Sequence, residues 1–351
     1  MGCTSLNSKP IIRTMKITLY TISLLALGSV ALAEPVVQNQ GSIEQSGIYS
    51  RNWITSQDTT AAYDSINSDG VNINHVQYKG TGVLNVEVGS INAGSGDVHI
   101  SSYQGDIKLG DVQANRIDVS TNEGNITLTG AITARDNTSG IYIARDTGTA
   151  GGNIILDGAT LTNIELSSTM WNESWQQVVA GSIEITGDTT ISGAFLQVDT
   201  INVAEGTNLV LENTVFASRG ATSPENPDAT PTYANLSLGD NVTMTIKGDQ
   251  PMEVSSLSVG TGVSFIVELS NEDFANLDDS QFYLFNAEKG NIDLSLVDFT
   301  FTNGTETKGG TISVGSDGSI TVTDTYSIPE PATATLSLLA LCGLATRRRR
   351  K

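Results

Sequence analysis

The chain is expected to be all-β, a right-handed parallel β-helix with a C-terminal β cap. Three observations predict this. β-Branched residues and Leu alternate with polar ones over most of the length, Gly accounts for 35 of 351 residues, and a short unit recurs between Gly80 and Phe216. Alternation places one set of side chains on one face of a strand, and Gly with Asn and Asp supplies turns. Units of about 20 residues cannot bury an apolar face alone, whereas stacked coils share a continuous interior. A β-sandwich is the competing architecture; regular spacing of parallel-type repeats favours the solenoid.

Residues 34–79 are expected as an N-terminal cap region and 80–217 as the repeats. The units are LNVEVGSINA (84–93), GDIKLGDVQA (105–114), GNITLTGAITA (124–134), GNIILDGATLT (152–162) and GSIEITGDTTIS (181–192). Setting Val86, Ile107, Ile126, Ile154 and Ile183 equivalent gives steps of 21, 19, 28 and 29 residues. In GNITLTG, Ile126 and Leu128 would point inward, and Thr127 and Thr129 outward. The longer steps hold insertions, among them DNTSG (136–140) and the aromatic-rich TMWNESWQQ (169–177). Residues 218–233 have linker composition, rich in Pro, Ser, Thr and Asn. Strands resume over 234–326, expected as further coils and the cap. There NEDFANLDD (271–279) suggests a short helix, and ISVGSDGSITVT (312–323) a hairpin.

Both ends read as addresses. From Met15, the expected true start, Lys16 precedes fourteen apolar-rich residues (Ile17 to Val30), and Ala31-Leu32-Ala33 provides small residues for a signal peptidase. Fourteen residues make a helix of about 21 Å, short of the ~30 Å hydrocarbon core. Residues 1–33 are therefore expected to be cleaved as a signal peptide; a retained anchor is the alternative. At the other end, Pro329-Glu330-Pro331 precedes a fifteen-residue span, Ala332 to Thr346, and then Arg347, Arg348, Arg349, Arg350 and Lys351. As a helix this short transmembrane segment would cover about 22 Å. The five cations would hold its end on the cytoplasmic side, and the two prolines would keep Glu330 extended.

Without residues 1–33 and the block Arg347 to Lys351, 10 cations face 38 acids, a net charge of −28. Such a body repels nucleic acid and anionic lipid. Cys3 and Cys342 both lie outside residues 34–326, so no disulfide can brace that region and stability must come from the core.

The arrangement in 327–351 resembles the PEP-CTERM sorting signal of Gram-negative bacteria, carried by Pro329, Glu330, Pro331, the apolar run and Arg347 to Lys351. The resemblance implies an exosortase-type membrane peptidase as partner, transient residence in the inner membrane, and release or attachment at the cell surface. A plain C-terminal anchor is the alternative. The GDI-x-L and GNI-x-L units are similar to coils of bacterial surface adhesins, and the region with DSQFYLF and GSDGSITVT is similar to autotransporter-associated β-strand regions. These similarities imply architecture more than activity.

Candidate chemistry is sparse. His75 and His99 are the only histidines; they have no zinc-protease spacing and are expected at the surface, so no metal or cofactor is assigned. The body lacks a thiol nucleophile, a G-x-S-x-G elbow and a phosphate-binding loop. The alternative to a non-catalytic structural or adhesin-like role is a polysaccharide lyase or glycosidase, which requires paired carboxylates or clustered cations. Asp106, Asp118 and Asp157 read as turn or outward residues, and the ARD pairs Arg135-Asp136 and Arg145-Asp146 as solvent-facing. No catalytic residue is assigned. Trp171 and Trp175, with Trp53, are candidates for stacking on sugars; aromatics folded onto the solenoid are the alternative.

Overall fold

The computed structural model describes residues 36–76, 82–136, 138–145, 151–171, 177–179, 181–216, 233–247, 252–277, 281–283, 285–286, 297–314 and 319–328. The leader and the tail from Pro329 onward lie outside these residues, as does the linker apart from Tyr233. The fold is an all-β parallel solenoid built on a 20-stranded and a 9-stranded sheet. Parallel ladders running from coil to coil exclude the antiparallel sandwich.

The first sheet begins with long strands. Val36–Glu44, Thr59–Asn67, Leu84–Asn92 and Ile107–Ala114 stack in parallel register. The ladder then divides, because Ile126–Leu128 and Ala131–Ala134 pair with the two halves of Ile107–Ala114. Two ladders continue side by side, one ending at Ser256–Val259 and the other at Asp298–Thr302. The second sheet supplies the remaining side of each coil, from Ile48–Trp53 and Gly70–His75 to Val215–Phe216. Residues 36–76 therefore contribute two coils to the solenoid, which starts well before residue 80.

The expected equivalences hold in the register. Val86 pairs with Ile107, Ile107 with Ile126, Ile126 with Ile154, and Ile154 with Ile183. The column extends to Ile201, Leu236 and Leu257. A second column, Ile66-Ile91-Val112-Ile132-Leu161-Ile191-Leu211-Ile246-Val267-Phe301, runs through ten coils. All these residues are buried in one apolar core, and each large aliphatic side chain contributes roughly 1.5–3 kcal/mol.

The recurring Gly-Asp/Asn-Ile has two physical causes. A Cβ on Gly105 would stand 1.8 Å from the Leu84 carbonyl oxygen, one on Gly124 2.0 Å from that of Gly105, and one on Gly152 2.3 Å from that of Gly124. Only Gly permits this approach between coils. The next residue ties the coils together: Asn85 Oδ1 accepts from the Asp106 N–H, Asp106 Oδ1 from the Asn125 N–H, and Asn125 Oδ1 from the Asn153 N–H, at 2.7–2.9 Å. Asp106 is thus a bridge between coils. Later corners between the two sheets use left-handed residues, Asn163, Gly193 and Asn213, with φ between 47° and 62°.

Buried hydroxyls tie other corners. Ser102 Oγ donates to the Leu84 carbonyl and accepts from the Gly105 N–H; Thr121 Oγ1 donates to the Gly105 carbonyl and accepts from the Gly124 N–H.

The two ends close differently. In the first coil, Gln38 aligns with buried Ala61, and Arg51 with buried Ile73. Arg51 also donates to Gln40 Oε1 at 3.0 Å and lies 4.4 Å from the Trp53 ring centre. Polar side chains therefore occupy inward columns where the stack ends. At the far end, Thr307–Val314 pairs antiparallel with Asp298–Thr302 and with Ser319–Ser327. The pairing of Val314 with Ile320 is the expected hairpin; its tip, 315–318, lies outside the described residues. The helix Asn271–Ala275 buries Phe274, is capped by Ser270 Oγ accepting from the Asp273 N–H, and receives Lys308 Nζ on the Phe274 carbonyl at 2.9 Å.

Candidate functional site

Two concave places lie on the early coils. The first is a cleft of about 420 Å³ beside the first coil, with Gln38, Arg51, Trp53, Ile54 and Gln57 among its lining residues. Trp53 is only 5% exposed and Arg51 lies over its ring, so its indole is closed to a sugar. Trp53 Nε1 and the Tyr49 hydroxyl both donate to the Tyr63 hydroxyl at 3.3 Å. Burial raises the Tyr63 phenol far above its ordinary pKa. This cluster is a packed end of the core.

His75 belongs to the same end and is not the surface imidazole expected from the sequence. It pairs with Trp53 and is partly buried, because the strand Gly70–His75 turns it inward. Thr55 Oγ1 donates to the Gly82 carbonyl at 2.7 Å and meets His75 Nε2 at 3.1 Å. With the Thr55 proton committed, Nε2 is the donor, which leaves the buried Nδ1 as an acceptor without a partner. Burial lowers the pKa of His75. His99 aligns with Asn72 in the next coil and lies 3.4 Å from Asp118, so the register separates the two histidines. Its hydrogen bond to Asp118 is the main cause of that carboxyl's lowered pKa.

The second concavity, about 560 Å³, runs along the outer face of the first sheet, where the long strands bend. Register creates it. Asn67, Asn92, Gln113 and Thr133 form one outward row, and Ser65, Ser90, Asp111 and Ala131 flank it. The flanking row is inferred one residue before the paired column, Ile66-Ile91-Val112-Ile132. Asn67, Asn92 and Gln113 are exposed. Glu44 stands at one end and accepts from Asn67 Nδ2 at 2.9 Å. Asp111 Oδ1 accepts from the Ala131 N–H at 2.9 Å. Asn92 Oδ1 accepts from the Gly94 N–H, and among the described residues its Nδ2 donates to no acceptor. The groove thus offers amide and hydroxyl groups at strand spacing, about 4.8 Å per coil, with two carboxylates and no cation in its lining. The sequence signal was the recurring triplet SIN (65–67), SIN (90–92), DVQ (111–113) and AIT (131–133), which periodicity within single strands does not reveal.

The polar row continues through Thr162, Ser192, Glu212, Lys247, Glu268 and Thr302. Lys247 and Glu268 form an ion pair at 3.1 Å.

The other expected sites fall at the margins. Trp171 closes the strand Glu165–Trp171, which turns back antiparallel through Gln177–Val179. The strands on either side of the insertion around WNESW thus pair on the second sheet, and Trp175 lies outside the described residues, as do Ala31, Ala33, Pro329, Glu330, Pro331 and Arg347 to Arg350. Among the described residues no helix is long and apolar enough to cross a membrane, and no group of three His, Cys, Asp or Glu could hold a metal ion. In DNTSG, Asp136 Oδ1 accepts from the Thr138 N–H. Comparison of the chain with protein-family models, with curated proteins and with solved structures gives no match.

Proposed function

We propose that this is an exported protein sorted to the cell surface, a non-catalytic structural or adhesin-like component of the envelope or its exopolysaccharide matrix. The observation that carries this reading is the outward polar row from Asn67 to Thr302, made of amide and hydroxyl side chains as far as Ser192 and repeated coil after coil on a parallel solenoid. A surface of this kind suits many weak contacts along a polymer or a neighbouring surface, whose avidity grows with their number. A catalytic centre concentrates convergent groups in one place.

The leader ending Ala31-Leu32-Ala33 assigns export to signal peptidase. The tail, Pro329-Glu330-Pro331 with its apolar span and Arg347 to Lys351, assigns sorting to an exosortase-type peptidase of the inner membrane. The partner at the surface is then a polysaccharide or cell-surface glycan. Two measurements test the reading. Mass spectrometry of cell-surface material is expected to find residues 1–33 and the arginine block removed. Purified 34–326, incubated with a polysaccharide panel, is expected to bind without releasing reducing ends or unsaturated products. Retained arginines would remove the sorting assignment, and sugar release abolished by one carboxylate substitution would establish the enzyme instead.

A further inference from the structure

Resting on the adhesin-like reading, we infer that the groove along Asn67, Asn92 and Gln113 takes a neutral linear polysaccharide laid parallel to the solenoid axis. Three features select this occupant.

The first is hydrogen-bonding inventory. A side-chain amide both donates and accepts, as a sugar hydroxyl does, so an Asn or Gln row pairs with hydroxyls without demanding one orientation. Asn92 is exposed and, among the described residues, its Nδ2 donates to no acceptor; Gln113 is exposed beside it. Ser65, Ser90 and Thr133 add hydroxyls along the same floor.

The second is charge. Among the described residues the only ionised groups in the lining are Glu44 and Asp111, and both are committed, to Asn67 and to the Ala131 N–H. Their field, on a body that is strongly acidic overall, repels uronate, sulfate or phosphate polymers. No Lys or Arg lines the groove to offset it.

The third is direction. The donors repeat across coils, about 4.8 Å apart, and not along one strand. A polymer lying along the axis meets each of them in turn, whereas one lying along a strand meets a single member of the row. No aromatic side chain lines the groove among the described residues, so recognition rests on hydrogen bonds. Each is individually weak, and affinity comes from their repetition.

The test is affinity electrophoresis of residues 34–328 in native gels containing dextran or hydroxyethylcellulose as neutral probes and polygalacturonate as the acidic one. Retardation is expected in a neutral gel, none in polygalacturonate, and no change with added salt. The double variant Asn92→Ala/Gln113→Ala should weaken the neutral interaction about five- to tenfold. Asn74→Ala, on the other sheet, should leave it unchanged. Circular dichroism of each variant verifies that the solenoid is retained. Retardation that survives the double variant would overturn the groove assignment and leave the adhesin-like reading standing. Retardation only in polygalacturonate, or in no gel, would overturn the groove assignment as well. Release of reducing ends from the neutral polymer would overturn the non-catalytic reading instead, and the double variant would still report on the groove.

Discussion

Gly124 shows how a residue's role depends on a coil remote in sequence. Within its own strand it reads as a turn residue, and GNI carries no sign of crowding. Its constraint comes from Gly105, nineteen positions earlier, whose carbonyl oxygen would sit 2.0 Å from an added Cβ. Gly124→Ala must therefore push two coils apart, and is expected to cost about 1–3 kcal/mol, the range for overpacking. Gly41→Ala makes the contrast. Nothing lies within 4 Å of its added Cβ, and only its φ of +64° is unfavourable, so a cost of about 1–2 kcal/mol is expected. Denaturant unfolding of the two variants separates contact between coils from backbone strain. An unchanged stability in Gly124→Ala would show that the approach to Gly105 does not require Gly at that position. The aliphatic partners Ile107, Ile126, Ile154 and Ile183 were legible because alternation is local to each strand. The reason for Gly was not, because it exists only once the coils are stacked.

At the level of a strand, the end of Gly70–His75 shows how sheet alternation governs charge. An isolated HVQY is ambiguous about which face His75 takes; the pairing with Trp53 and the Thr55 hydroxyl settle it inward. Burial favours the neutral imidazole, so the folded pKa lies below the unfolded value of about 6.5. Between these two values the unfolded chain binds more protons, and stability falls as pH is lowered. The contribution is complete above the unfolded pKa and is lost as pH drops through the window beneath it. The expected outcome is a melting temperature that declines from pH 8 to pH 5, with that slope reduced in His75→Gln. An unchanged slope in the variant would assign the dependence to other groups. A separate loss belongs below about pH 4, where Asp188 and Asp240 protonate. Each has a lowered pKa because it accepts from a backbone N–H of the following coil, that of Asn208 and of Thr261 respectively.

For the solenoid as a whole, the decisive problem is its two ends. Stacking supplies every internal coil with neighbours, but the first and last strands have an open side on which another chain could pair. Composition and repeat length made the stacking legible; the means of closure was only partly so. Gln38 and Arg51 look like ordinary surface residues until register aligns them with buried Ala61 and Ile73. There they place polar groups at the inward columns, which discourages a further coil from docking. The other end depends on a change of strand direction, in which Thr307–Val314 runs antiparallel to both Asp298–Thr302 and Ser319–Ser327, and Val322 joins the core. Deleting residues 303–328 should uncover Phe299 and Phe301 together with an unpaired strand edge. Light scattering is expected to give a larger apparent mass for this truncated chain than for intact 34–328, increasing with concentration. Gln38→Leu/Arg51→Leu should produce the same association from the opposite end while leaving the antiparallel strands untouched. If the truncated chain kept the mass of the intact body, the parallel edge at Asp298–Thr302 would already be protected by its own coil, and the antiparallel strands would have to serve something other than closure.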